Sequence, residues 1–250
     1  SIMRVLTIDA PSDLAVLRSL SYDLSDSALL SDDFKRLAEL MVATVTHPSQ
    51  DGVGIAGPQV GLNRRVVAVQ RFDKEGEPFE VYPNVRIVWA SDSLAAGPEG
   101  CLSVPDRRGE VLRSQEIVIE YADITGIEHS LQQNRLESNR RAKPVPMVRD
   151  TVSGFTAVIF QHEIDHLDGV LYVDKMYREI FAEDEEDDEV SEEEEAELPD
   201  LAEKDAINQR KIYMRELEHR VTANLGRRAK ITATPRKKVI EIAYSDDDDL

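Results

Sequence analysis

The apolar positions of the chain form two helical patterns separated by a stretch with the period of strands. The first pattern begins near Ser31 or Asp32, either of which can cap exposed backbone N–H groups. It carries Phe34, Leu37, Ala38, Met41 and Val45 at helical spacing, so one buried stripe is expected. His47-Pro48 ends it, because proline disfavours a helical conformation in the preceding residue. His47 reads as an exposed residue favoured by the dipole at the helix end. Upstream, residues 1–31 predict only a short helix over Asp13–Ser21. Downstream come strands: Val66–Gln70, one or two within Pro78–Trp89, Glu110–Leu112, and Glu116–Tyr121 with Ile117, Ile119 and Tyr121 on one face. Residues 123–152 are polar and irregular, with Arg140, Arg141, Lys143, Pro144 and Pro146 clustered, and predict an extended loop with room for a short helix. Helical periodicity returns from Phe155 to Leu167 through Val158, Ile159, His162 and His166. The expected class is α+β, mainly antiparallel sheets packed around a central helix.

At 250 residues the chain can bury one substantial core and still carry a tail. The expected organisation is a catalytic domain over 1–181, an acidic flexible linker over 182–200, and a tail over 201–250. The linker carries Glu183–Glu189 and Glu192–Glu195, with too little apolar content to offset the entropy of ordering. The tail regains helical character through Leu201, Ile207, Ile212 and Leu217. It is basic from Arg210 to Lys238 and acidic at its end. Much of the net charge of -19 sits in the linker, so the total says little about a functional site and does not point to DNA. No apolar run approaches the roughly 20 residues that cross a bilayer. Ser1–Leu6 lacks the features of a secretory signal, and Met3 is a candidate start residue. The expectation is a soluble cytoplasmic protein, with an organelle left open if the N-terminus was trimmed. A lone cysteine allows no disulfide within the chain.

The sharpest chemical signal is Gln161-His162-Glu163-Ile164-Asp165-His166-Leu167-Asp168-Gly169. Two histidines four apart share one helical face and can bind one cation. Glu163 between them can take a proton from a water that a first-row divalent cation acidifies, and can later deliver it to a departing nitrogen. Asp165 and Asp168 read as acceptors behind the site or at the helix end rather than ligands. A catalytic site commonly has three protein ligands. His129 and His219 are weak candidates for the third, whereas Cys101 in Glu99-Gly100-Cys101-Leu102-Ser103-Val104-Pro105 would complete a Cys-His-His set.

The glycine-rich Gly52-Val53-Gly54-Ile55-Ala56-Gly57-Pro58-Gln59-Val60-Gly61 has the spacing of a dinucleotide fingerprint, which needs a strand before it and a helix on it. Here the order is reversed. The better reading is a small-residue strand passing close to substrate, with Gln59 as an amide donor; a plain structural turn is the alternative for this segment taken alone.

Gly52-x-Gly54-x-Ala56-x-x-Gln59, Glu99-Gly100-Cys101-Leu102-Ser103 and His162-Glu163-x-x-His166 occur in that order. Together they resemble the three signature motifs of the peptide deformylases. The resemblance extends over Tyr82-Pro83-Asn84 and Val104 to Tyr121, spanning roughly residues 3–180. It implies hydrolysis of the formyl group from the N-terminal formyl-methionine of nascent polypeptides. It implies Cys101, His162 and His166 as metal ligands, with Glu163 as general acid/base. Gln59 and the backbone N–H of Leu102 are implied as oxyanion donors, Gly54 and Ile55 as strand-like partners of the peptide, and Arg108 as a substrate contact. Glu99 and Arg113 would form a supporting pair. The implied metal is Fe2+, with Zn2+, Ni2+ or Co2+ able to substitute.

Gly57 stands where many members carry Ala, which would loosen the strand, and the 123–152 loop looks longer than usual. The rivals are another metal-dependent amide hydrolase and a catalytically idle protein of the same fold. Intact Glu163, Gln59 and ligands disfavour the idle protein. The basic tail suits transient contact with ribosomal RNA, although folding back on the acidic run or remaining a solvated surface are the favoured readings.

Overall fold

Ser31 starts the long N-terminal helix as its pattern predicts: its hydroxyl accepts from the Phe34 N–H at 3.2 Å. In this computed structural model, which describes residues 1–125 and 145–181, Ile212, Arg215, Glu218, 229–234 and 237–242, that helix is α3, Asp32–Thr46. Asp32 and Asp33 occupy its first turn, where the dipole favours acids. Phe34, Met41, Thr44 and Val45 are buried. Two short helices precede it. The first, α1, runs over Pro11–Leu17 rather than Asp13–Ser21, because Pro11 supplies a preset φ and no wasted donor at the first helical position. The second, α2, is Asp26–Leu29.

Three small antiparallel sheets follow. The first has the order β1 (Gly54–Ala56), β2 (Val66–Gln70), β3 (Phe79–Pro83). The second has the order β4 (Arg86–Ala90), β7 (Glu116–Ala122), β8 (Met147–Ser153). The third has the order β5 (Leu94–Cys101), β6 (Val104–Ser114), β9 (Arg178–Glu179). The strands at Val66–Gln70 and within Pro78–Trp89 lie where the pattern put them. β6 is much longer than the predicted Glu110–Leu112. β8 corrects the reading of 123–152 as loop, since it pairs with β7 from Glu116↔Ser153 to Ala122↔Met147. Only Val148 and Val152 are apolar on its inner face, so the pairing partner, and not the local pattern, makes it a strand. Residues 126–144, with the arginine and lysine cluster, lie outside the described residues.

The central helix α4, Gly154–Leu167, is buried on nearly every side, including its polar residues Gln161, His162, Glu163 and His166. A helix of this kind needs a partner for each polar group. Gln161 finds one at the end of β6, accepting from Ser114 N–H at 3.0 Å and donating to Ser114 O at 2.8 Å. Phe160 meets Tyr82 edge-on, with ring centroids 4.9 Å apart, and lies under the Arg71 guanidinium at 5.7 Å. Arg71, 3% exposed, donates to Asp73, Tyr82 and Asp150, and so ties β2, β3 and β8 together behind α4. No helix among the described residues is long and apolar enough to cross a membrane.

The chain divides into two units, Ser1–Glu193 and Glu194–Leu250. Within the second, Ile212, Arg215 and Glu218 are helical, and β10 (Ala229–Thr234) pairs with β11 (Lys237–Ile242) from Ala229↔Ile242 to Thr234↔Lys237. Lys230, Lys237 and Lys238 of the basic stretch therefore stand on a hairpin rather than a helix. The acidic run 182–200 lies outside the described residues.

Gly57 does more than loosen a strand. It opens a 3-10 turn, Gly57–Val60, and a Cβ there would stand 2.7 Å from both Arg64 O and Leu62 O. Both obstacles are backbone, so Ala requires the 62–64 turn to move. Gly57→Ala is expected to destabilise the fold by about 1–3 kcal/mol, measured by denaturant unfolding.

Candidate metal centre

Cys101 ends β5, immediately before the two-residue turn Leu102-Ser103, and pairs with Val104 across it. His162 and His166 stand one turn apart on α4, with ring centroids 5.2 Å apart. A ligand atom from each of the three lies within 4.8 Å of the others, and Cys101 Sγ is 3.3 Å from His166 Nε2. Cys101 thus joins the paired histidines. His129 and His219, the alternatives for the third ligand, lie outside the described residues.

The carboxylate behind His162 is Glu99, not Asp165 or Asp168. Glu99 Oε1 is 2.8 Å from His162 Nδ1, which turns Nε2 toward the site. The sequence suggests the pairing of Glu99 with Arg113 but not the bond of Glu99 to His162. The available signal was its place two residues before Cys101. Arg113 holds Glu99 through both oxygens, from Nε at 2.9 Å and Nη2 at 2.8 Å. The supporting pair expected from the resemblance is present and buried, its side chains 3% and 7% exposed. Burial pushes the Glu99 carboxyl up, but Arg113 and then His162 outweigh it and hold it at about 2. Asp168 instead accepts from Arg65 at 3.0 Å.

Glu163 lies beside the ligands, its Oε1 3.9 Å from His162 Nε2. Its Oε2 is buried and has no hydrogen-bond partner among the described residues. Burial raises this carboxyl to about 7, against the pull of His162, so it can accept and release a proton near neutrality. Gly54 makes room for it: a Cβ at Gly54 would stand 2.9 Å from Glu163 Cγ.

Gln59, 1% exposed, is held by its own oxygen, which accepts from Ala56 N–H at 2.9 Å. Its amide Nε2 then points at Cys101 Sγ, 3.5 Å, and Ser103 Oγ, 3.2 Å. Ser103, fully buried, was not singled out from the sequence. Leu102 packs against the α3 core, and its side chain would be 3.1 Å from a Cβ at Gly52.

β1 is an edge strand. Gln70 N–H donates to Val53 O, and the ladder alternates, so Ile55 pairs with Ala68 while the N–H and C=O of Gly54 face the open edge. Ile55 is fully buried, and its backbone is committed to β2, unlike the free partner expected. Arg108 is also buried, its Nη1 3.3 Å from where a Gly100 Cβ would stand, so it backs the Cys101 strand.

The donor set fits a divalent metal. One thiol sulfur and two imidazoles suit a first-row divalent cation, with a fourth position left for chemistry. Without an ion the two imidazoles differ in their hold on a proton. His162 is held well above its ordinary value: burial opposes this, but hydrogen bonding to Cys101 and Glu99 prevails. His166 is held well below by burial and by His162.

A family model described as polypeptide deformylase matches residues 2–180. A peptide deformylase of Leptospira biflexa is 33% identical over 184 residues, 70% of this chain and 88% of the relative. Peptide deformylase 2 of Gloeobacter violaceus is 37% identical over 167 residues, 66% of this chain and 76% of the relative. An actinonin-bound class I type b peptide deformylase from Acinetobacter baumannii has a TM-score of 0.55 at 30% identity, covering 70% of this chain and 98% of that one. The peptide deformylase of Thermotoga maritima has a TM-score of 0.55 at 28% identity, with the same coverage. With the matched region containing every residue of the Cys-His-His cluster, the chain belongs to the polypeptide deformylase family, metal-dependent amidohydrolases that act on N-formyl peptides.

Proposed function

We propose that the chain hydrolyses the formyl group from formyl-methionyl nascent peptides in the cytoplasm, with Cys101, His162 and His166 holding one Fe2+ ion. The observation that carries this reading is the convergence of the three ligand atoms within 4.8 Å beside a buried carboxylate. A bound divalent cation would supply Lewis acidity and make a water nucleophilic at neutral pH. Glu163 takes the proton from the attacking water and gives it to the methionine nitrogen as the C–N bond breaks, so that formate and a free amine leave. The Gln59 amide and the Leu102 N–H donate to the oxygen that becomes negative during attack. Gln59 suits this role because its oxygen is anchored at Ala56, leaving its donor fixed in direction. Gly54 offers its N–H and C=O to the peptide backbone as an added strand. Ile55 contributes through the packing that holds this edge, and Arg108 through its support of the Gly100-Cys101 strand. The basic stretch from Arg210 to Lys238 is the part of the chain suited to transient ribosome contact.

Glu163→Gln should lower kcat on a formyl-Met peptide by about 10²–10⁴-fold while the protein keeps its metal by elemental analysis. Undiminished turnover would remove Glu163 from the role. Gln59→Ala should cost about 10²–10³-fold in kcat, and an effect on KM alone would argue against oxyanion donation. Protein purified without oxygen should contain iron and lose activity faster in air than under argon. Equal decay would count against an Fe2+–thiolate site.

A further inference from the structure

The metal-site residues come from two separate elements, the β5–β6 hairpin and helix α4, and a ring of buried charges closes between them. Starting on α4, His162 Nδ1 meets Glu99 of β5 at 2.8 Å. Glu99 takes two bonds from Arg113 of β6, at 2.8 and 2.9 Å. Arg113 Nη1 then donates to Asp165 Oδ2 at 2.7 Å, back on α4, three residues beyond His162. Residues three apart on a helix share a face, so His162 and Asp165 both look toward the hairpin. Lys175 caps the ring from solvent, with Nζ 2.9 Å from Asp165 Oδ2 and 3.1 Å from Oδ1. Side-chain exposure rises outward along this chain, from 3% at Arg113 through 19% at Asp165 to 46% at Lys175.

We infer that Asp165, locked by Lys175, is a positioning residue of the metal centre: it closes a salt-bridge clamp that sets the gap between Cys101 and the two histidines. With only Glu99 as partner the guanidinium would be tied to the hairpin alone. With Asp165 on its other arm it is fixed to the helix that carries the ligands. The clamp thereby orients Glu99, and Glu99 orients His162. It also keeps the Cys101 end of β5 against α4, while Gln161 pins the Ser114 end of β6. This inference rests on the metal reading of Cys101, His162 and His166.

The test is metal release. The full-length protein and its variants are loaded with Co2+, whose thiolate absorption reports Cys101 coordination. Loss to a chelator is then followed, alongside thermal unfolding of the metal-free forms. Asp165→Asn should release Co2+ about 10–100-fold faster, as removal of supporting groups behind ligands does elsewhere, and Asp165→Glu should recover part of the loss. Lys175→Met, at a half-exposed position that does not endanger folding, should release it about threefold faster. Its sign is decisive, because deleting a positive charge without any positioning effect would tighten cation binding. Release from Asp165→Asn within twofold of the parent would overturn the clamp, as would slower or unchanged release from Lys175→Met. If Asp165→Asn does not fold, Lys175→Met decides alone. Failure of the parent protein to bind Co2+ through Cys101 would instead overturn the metal reading.

Discussion

The structure depends on keeping a carboxylate charged in the interior. Glu99 is buried beside a histidine that must present one nitrogen to a cation, and it stays ionised because Arg113 grips both its oxygens. Taking one partner from a buried pair typically costs about 3–5 kcal/mol, since the other charge is left without compensation. Glu99 thus binds the orientation of a ring on α4 to the integrity of a β-hairpin.

The surroundings of α4 have the same logic. A helix buried on all sides normally carries apolar residues, yet this one carries Gln161, His162, Glu163 and His166 inside. Each is placed against a neighbour that serves it: Ser114 for Gln161, Glu99 for His162, Cys101 for His166, and the bare backbone of Gly54 for Glu163. The side-chain polar atoms of this helix without a hydrogen-bond partner among the described residues are Glu163 Oε2 and His166 Nδ1. Burial raises the Glu163 carboxyl to about 7 beside these two imidazoles.

The glycine-rich segment shows how backbone can replace side chain in a site. Gly54 is small because Glu163 occupies the space where a Cβ would stand, and Gly57 is small because two carbonyl oxygens do. Between them, Ala56 gives its N–H to Gln59 and so turns a flexible amide into a directed donor. The result is an edge strand whose outward-facing backbone and fixed donor lie within one short stretch of chain, beside the Glu163 carboxyl of α4.

Much of this was legible from residue order alone. Local periodicity and caps are properties of neighbours in sequence, so α3, β2 and the ligand helix could be placed from Ser31, Val66–Gln70 and the spacing of His162 and His166. The pairing of His162 and His166 was legible from their spacing, while Cys101, His129 and His219 all stood as candidates for the third place until the structure brought Cys101 to the two rings. What tertiary structure alone decided was pairing across distance. It made a strand of Met147–Ser153, gave His162 to Glu99 rather than to a nearer aspartate, and buried the Arg113 bridge. It also turned the polar groups of Gly54, and not those of Ile55, to the open edge. These outcomes rest on which segments meet and how much water they exclude, and neither is a property of any local run of residues.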